Sequence, residues 1–361
     1  MKKGLLYVIS VLAFVFVLAG CGSESAGNSD VSLDNVPEKF TAEEPVKIMV
    51  IRKIGGDDHT AQFLAGAKQE GEALGFQVDT FTANGDSAAF HDTIAQAIQQ
   101  EYDGLIISHG DDDATADQIQ EARDAGIEVV TFDTVGEAEG VTRTAQDDHA
   151  LAQLALDKLV EDTGGEANIA YLWVDGFPPM VRRNEIYTEV LAQNPGLNEV
   201  ERFGVATENT SVDTQNAVAA MLNKHPEGEL DAIFATWDAF AIGAARAIKE
   251  AGREEVAIYG IDVSNADLQL IQEEGSPWKY TAAVDPKLIG AVNLRLLAKK
   301  LAGEETPETY DLSASLISQE DLVAAEEEVN MSNLGNIIEG WGQSDAFEED
   351  WMQTLRDYHA E

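Results

Sequence analysis

The sequence predicts an α/β protein built from two doubly wound parallel-sheet lobes, and three observations predict it. Strand-length apolar runs alternate with helix-length amphipathic segments almost without interruption from Val46 to Ile317. The strand runs are near-continuously apolar rather than alternating, which marks parallel sheets covered by helices on both faces. There are too many such units for one compact dinucleotide-fold domain, and no step suggests a closed eightfold barrel. At 361 residues the chain is long enough for two domains of ordinary size.

Taken in order, residues 46–51 form the first strand, followed by a polar loop from Arg52 to Thr60. A helix from about Ala61 to Leu74 stops at Gly75, where a left-handed residue ends a helix at little cost. Residues 76–81 make a second strand, Ala88 to Glu101 a helix and residues 104–108 a third strand. Asp111, Asp112 and Asp113 precede a helix from Ala114 to Ala125, and residues 127–133 make a fourth strand ending on Asp133. Helix 150–161, strand 168–174 and helix 181–194 follow, then a strand at 200–204 and helix 212–224. The stretch Ala232 to Ile248 is the clearest unit: a buried strand, the turn Thr236-Trp237-Asp238, and an Ala-rich helix whose first turn carries Asp238, where a carboxylate complements the helix dipole. Strand 256–262 ends on Asp262, and the remaining units are helix 266–273, strand 280–284, helix 289–301 and a strand near 310–317. Beyond residue 330, Trp341, Phe347, Trp351 and Leu355 suggest one helix packing back onto a lobe.

The N-terminus reads as a targeting segment. Met1-Lys2-Lys3, a charge-free and mostly apolar run from Gly4 to Leu18, and small residues before Cys21 make a secretory signal peptide. The run is too short for a transmembrane span. Leu18-Ala19-Gly20-Cys21 resembles the bacterial lipobox, which implies cleavage before Cys21, lipid attachment to its thiol and anchoring to a membrane outside the cytoplasm. Cys21 is the only cysteine, so the folded part has neither disulfide nor thiol chemistry. Residues 22–45, rich in small and acidic residues, are expected to be a flexible tether.

The formal net charge is −43. Without Lys2 and Lys3 the mature part carries 21 basic against 66 acidic residues, a charge of −45. Such a surface excludes nucleic acid as a partner, because phosphate binding needs clustered Lys and Arg. It repels itself at low ionic strength and is easier to tolerate in a salty or alkaline habitat.

In open α/β sheets ligands sit beyond the carboxyl ends of the strands. Asp133 and Asp262 end apolar strands, where an unpaired buried carboxylate is costly and where each could instead accept two hydrogen bonds from vicinal hydroxyls. Helix capping is the alternative role for both. Trp237 offers a flat ring for the apolar face of a sugar and an indole N–H for a hydroxyl, against simple core packing. Trp173, with Asp175 nearby, is a similar candidate. Asp57 and His59 in the first loop and His109 after a strand could face the same cleft, although a lone loop His is more often structural. Arg182 or Arg183 near a helix start could donate a fork of hydrogen bonds. Asp111 to Asp113 lacks the alternating ligands, Gly and terminal Glu of a calcium loop and reads as a helix cap. Glu326 to Glu328 reads as a solvated face. No Gly-x-Ser-x-Gly elbow, Walker loop, His-Glu-x-x-His or cysteine cluster is present, so neither catalysis nor a cofactor is implied.

Several phrases carry a family likeness: Gly66-Ala67, residues 129–134 (Val-Val-Thr-Phe-Asp-Thr), residues 183–187 (Arg-Asn-Glu-Ile-Tyr), residues 234–238, residues 259–262 and residues 285–290. In their order and spacing over Val46 to Ile317, the chain resembles the periplasmic sugar-binding proteins of ABC transporters, the group that includes ribose-binding protein. The resemblance implies the class I periplasmic binding protein fold, with three hinge crossings near Asp147, Asp285 and Ser313. It implies an N-lobe of residues 46–146 and 286–312, a C-lobe of residues 147–285 and 313–329, and an extension at 330–361. Asp133 and Asp262 match the family's sugar-binding carboxylates. Trp237 stands where ribose binders have Asn, and Asp57-Asp58-His59-Thr60 where they often have aromatic clamps. The family's Arg falls near Val181, so Arg182 or Arg183 replaces it, and its Gln before the last hinge becomes Val284 beside Asp285. Asn209 sits where the family often has a cleft residue. These departures argue against ribose itself and leave a sugar, a polyol or a relative open. The expectation is a monomeric, non-enzymatic solute-binding lipoprotein that closes on its ligand and docks on a transporter permease. Delivery of a signal molecule of the autoinducer kind to a receptor and, more remotely, a carbohydrate-active enzyme are the alternatives. A sugar-responsive transcription factor of this fold would begin with a helix-turn-helix, not a lipid anchor.

Overall fold

The computed structural model describes residues 31–55, 58–110, 112–134, 138–207, 209–325 and 327–360. The leader with Cys21, the tether up to residue 30, Asp57, Asp111 and Glu326 therefore lie outside the described residues.

Among the described residues, twelve strands and eleven α-helices follow in chain order: β1 (Lys47–Arg52), α1 (Asp58–Ala73), β2 (Gln77–Thr82), α2 (Ser87–Gln99), β3 (Gly104–Ser108), α3 (Asp113–Asp124), β4 (Glu128–Phe132), β5 (Thr142–Gln146), α4 (Asp148–Thr163), β6 (Glu166–Leu172), α5 (Pro178–Gln193) and β7 (Gly196–Phe203). The second half runs α6 (Thr210–Lys224), β8 (Ala232–Ala235), α7 (Asp238–Ala251), β9 (Ala257–Ile261), α8 (Asn265–Gln272), β10 (Trp278–Ala283), α9 (Pro286–Leu301), β11 (Thr309–Leu312), β12 (Ser315–Ser318), α10 (Gln319–Ala324) and α11 (Asp350–His359).

The strands form two six-stranded sheets, ordered β11-β5-β4-β3-β1-β2 and β12-β10-β9-β8-β6-β7. All neighbours are parallel except β12, which runs antiparallel to β10. The chain passes between the sheets after β5, after β10 and between β11 and β12.

Successive strand residues face opposite sides, and the core divides accordingly. Ile48, Val50, Ile106 and Val130 join the cluster with Phe63 of α1 and Ile289 of α9, while Ile51, Leu105, Ile107 and Val129 meet Phe90 of α2 and Ile119 of α3. In the second lobe α4 and α5 cover one face and α6, α7 and α8 the other. Helices α1 and α9 touch backbone to backbone: a Cβ on Gly66 would stand 1.9 Å from the Lys287 carbonyl oxygen, and one on Gly290 2.1 Å from that of Phe63. Both glycines belong to the recurring phrases noted above, and only a residue without a side chain fits there.

Three expectations change. Strand β5 was not anticipated, because Thr-Arg-Thr-Ala-Gln carries no apolar run. Its inward positions are polar, and their hydroxyls find partners elsewhere in the fold: Thr144 Oγ1 lies 3.0 Å from the Thr131 carbonyl oxygen and 2.7 Å from Asn293 Oδ1, its one proton shared between them, and Thr142 donates to the Pro307 carbonyl (2.6 Å). The single strand expected near 310–317 is two, one per sheet, split at the last crossing. The described end of the expected tether, residues 31–44, is packed: Val36 is buried, and the Phe40 ring centroid lies 5.1 Å from those of Phe76 and Trp351.

Asp112 caps α3, accepting hydrogen bonds from the Thr115 N–H and hydroxyl at 2.8 Å each. Burial, the largest single influence, raises its pKa, but those hydrogen bonds and His91 together outweigh it and hold the carboxyl at about 2. Asp112→Ala is expected to cost about 1 kcal/mol in urea unfolding, the typical worth of such a cap. A loss below the error of the midpoint would remove the capping role.

Candidate ligand-binding site

The carboxyl ends of β1, β3, β4 and β5 face those of β6, β8 and β9 across the junction of the lobes. Three residues just past strand ends hold left-handed backbone: His109 (φ 63°), Asp133 (φ 45°) and Asp262 (φ 76°). In each, the backbone N–H still pairs with the neighbouring strand: His109 with the Phe132 carbonyl, Asp133 with that of Thr144, Asp262 with that of Ala282. The chain must then turn sharply, and Asp and His are among the few residues with side chains that tolerate this conformation. Such local strain concentrates at functional sites.

Asp148, at the start of α4, is buried and organises the centre. Its Oδ2 accepts from Arg182 Nε (2.9 Å) and Nη2 (2.5 Å), and its Oδ1 from Arg183 Nε (2.8 Å). Arg182 Nη2 reaches Asp133 Oδ1 of the first lobe at 3.4 Å. Arg183, itself buried, donates to the Thr236 carbonyl (2.6 Å) and forks onto Asp262 at 3.2 and 3.3 Å. Both arginines thus join the site, Arg182 to one lobe's carboxylate and Arg183 to the other's.

Electrostatics follow from this packing. Burial first, then the negative charge of Asp148, raise the Asp133 pKa to about 7, against the pull of Arg182, Arg183 and Arg52. Burial also raises that of Asp262, with Arg183 opposing. Arg183 is held more firmly charged than usual, because Asp262 and Asp148 outweigh its desolvation. Burial first, then Arg52 and His59 nearby, push the pKa of His109 well below its ordinary value. Its Nδ1 meets Ser108 Oγ at 2.7 Å, and its ring stands edge-on to Phe132.

His59 is not in a loop but in the first turn of α1, which begins at Asp58, and its Nδ1 lies 3.0 Å from Arg52 Nη2. Trp237 precedes α7, half-buried and edge-on to Phe240. Trp173 stacks on Tyr171 beneath the guanidinium of Arg202, and its indole N–H donates to the Met180 carbonyl at 2.8 Å, so that donor is already engaged. Asn209 starts α6 after the edge strand β7, at the margin of its lobe. Asp285 caps α9 at the second crossing and lines a cavity of about 130 Å³ with Tyr310, Ser313 and Trp341, on the hinge.

Sequence reasoning missed Arg52, Asp148, Gln146 and Asp267. Arg52 closes the apolar strand β1 and is fully buried, its guanidinium over the Phe63 ring. Asp148 stands in the first turn of α4, beside its cap Asp147. Gln146 hydrogen-bonds Asp262. Asp267, in α8, is wholly buried, which raises its pKa to about 7. The place of Arg52 at the close of an apolar run is the one signal the chain offers, and it does not reveal the burial; nothing beside Asp148 marks it.

Among the described residues no helix is long and apolar enough to cross a membrane. Residues 48–305 match the family model described as periplasmic binding protein domain. The ribose import binding protein of Bacillus subtilis (strain 168) is 24% identical over 326 residues, 88% of this chain and 100% of the relative. Among solved structures, a sugar ABC transporter protein from Yersinia enterocolitica subsp. enterocolitica 8081 superposes with a TM-score of 0.82 at 49% identity, covering 90% of this chain and 98% of that one. The 5-methylthioribose transporter solute-binding protein from Thermotoga lettingae TMO, in complex with 5-methylthioribose, follows at 0.79 and 33%, covering 86% and 98%.

Proposed function

The chain belongs to the periplasmic binding protein family, among the substrate-binding proteins of sugar ABC transporters, and on that premise we propose that it captures a sugar or polyol between its lobes by hinge closure. Its family members are binding proteins of importers rather than enzymes. The observation that carries the ligand class is the pair of strand-end carboxylates, Asp133 on one lobe and Asp262 on the other, held by the Arg182–Asp148–Arg183 cluster. Acceptors on both sides with guanidinium donors between them suit vicinal hydroxyls, whose hydrogen bonds charged partners strengthen. Trp237 supplies the ring that packs on the ligand's apolar face. His59 and His109 line the first-lobe side, and Asn209 lies at its margin; Trp173 acts by shaping the wall and Asp285 by bracing the hinge.

Lobes of residues 46–146 with 286–312 and 147–285 with 313–329 open and close about the three crossings, and a ligand touching both shifts the population to the closed form. The closed protein then docks on a permease, anchored as a monomer through a lipid on Cys21. The Thermotoga relative was solved with 5-methylthioribose, which makes an alkylthio-substituted pentose the first compound to try.

The test is thermal unfolding of residues 22–361 against 5-methylthioribose, pentoses, hexoses, deoxysugars and polyols, at high and low salt. A ligand that binds only the native state raises Tm, and by about 4 kcal/mol of stability at a thousandfold excess over Kd. One compound is expected to give a large shift, and Asp133→Ala to abolish it. No shift from any compound at either salt would overturn the sugar reading.

A further inference from the structure

Residues 327–360, which continue past the family match at 48–305, do not fold back as one helix on one lobe. Val329, Leu334, Ile338 and Trp341 are buried in the core of the second lobe, whereas Trp351, Met352 and Leu355 of α11 join the cluster that contains α1 and α9 of the first. Between them the chain crosses from lobe to lobe, over the hinge, with Ser344 accepting from Arg295 (2.9 Å) and Phe347 edge-on to Tyr310.

The first part of this strap grips α8. The Val329 N–H donates to Gln272 Oε1 (2.9 Å), Gln272 Nε2 to the Glu327 carbonyl (2.9 Å), and Gln269 Nε2 to Glu328 (3.1 Å). The Met331 N–H donates to Asn265 Oδ1 at 2.9 Å. That contact orients the Asn265 amide. With its oxygen engaged, Nδ2 donates to Asp58 Oδ2 at 2.7 Å, and the Asn265 backbone N–H reaches the same oxygen at 3.1 Å. Asp58 stands in the first turn of α1, on the other lobe. The contact is therefore a bridge across the cleft, separate from the arginine cluster and from the hinge.

We propose that Asp58 and Asn265, aligned by Met331 of the C-terminal strap, are positioning residues that latch the lobes together and so set ligand affinity and residence time. The proposal rests on capture by lobe closure. A carboxylate taking two N–H donors makes a charge-assisted contact, and one formed only when the lobes meet adds its whole free energy to the closed state. Apparent affinity scales with the population of the binding-competent form.

Single-molecule energy transfer tests it in residues 22–361, which lack Cys21 and so carry no native thiol. Dyes go on Glu121→Cys and Glu189→Cys, exposed positions on the two lobes. Without ligand, Asp58→Ala and Asn265→Ala are each expected to shorten the closed dwell about tenfold, and the double variant no further; Tm of the free protein is unchanged by Asp58→Ala and slightly lowered by Asn265→Ala, which also removes the acceptor of the Met331 N–H. Affinity for whichever panel compound binds the unmodified chain falls by the same factor. Additive losses, unchanged dwell times, or no excursions to a short separation in the unmodified chain would overturn the latch. Should no compound bind, the sugar reading fails while the dwell times still decide this one. If an alanine variant misfolds, Asp58→Asn, which keeps one acceptor oxygen, is expected to shorten the dwell by less.

Discussion

Replacing Asp148 with alanine is expected to remove about 3–5 kcal/mol of stability, the usual cost of breaking a buried ion pair from one side. Asp148 is 1% exposed and Arg183 2% exposed. Without the carboxylate, Arg183 keeps Asp262 and the Thr236 carbonyl, but its Nε loses its 2.8 Å partner in a site that excludes water. Arg182 loses both of its short contacts and retains only the 3.4 Å approach to Asp133. Unfolding in urea should show the loss, together with a Tm lower by roughly 10 °C. Asp148→Asn keeps the shape and one acceptor oxygen and should cost about half as much. A loss under about 1 kcal/mol for the alanine variant would mean that the cluster relaxes into water, and its place at the centre of the site would have to be given up.

The second large effect is with pH. Asp133 and Asp267 both titrate at about 7 in the folded chain, chiefly because burial disfavours their charged forms. In the unfolded chain an aspartate titrates near 3.9. Between those values the native state holds the extra protons, so stability is greatest below pH 4, falls as pH rises toward 7, and is level above it. The slope reaches about 1.4 kcal/mol per pH unit for each group. Asp112 and Glu70, whose pKa values are lowered, act in the opposite sense at or below the ordinary carboxylate range, and His109 and His359, whose pKa values are also lowered, do so up to about pH 6.5, the ordinary histidine value. Tm should therefore drop between pH 6.5 and pH 8, where the histidines no longer oppose the two aspartates. Asp267→Asn, equal in shape and never charged, should remove about half of that drop. A Tm constant over this interval would show that neither carboxyl is held protonated.

Much of the architecture was legible because its causes are local. A βα unit needs only an apolar run of strand length and an amphipathic segment after it, and both can be read from neighbouring residues. The placement of Asp133 and Asp262 at strand ends follows from the same pattern, whereas the close approach at Gly66 and Gly290 emerges only from the packing of α1 on α9. Strand β5 escaped because its stability lies in hydroxyls whose partners are distant in sequence, Thr144 with Asn293 and Thr142 with Pro307. The C-terminal residues gave the right apolar positions and the wrong arrangement: Trp341 and Trp351 read as one packing face, and they lie in different cores.

By itself the sequence determined the order of the main βα units, the two-lobed class and the acids at the strand ends, since these depend on hydrophobic periodicity and on which residues end a run. Only the tertiary structure decided that Asp148 binds both arginines, that Arg52 is buried beside His59, and that Asn265 reaches Asp58 across 207 positions of chain. A charged side chain becomes a site when folding removes its water and supplies its partners, and neither event leaves a mark on the residues next to it in the chain.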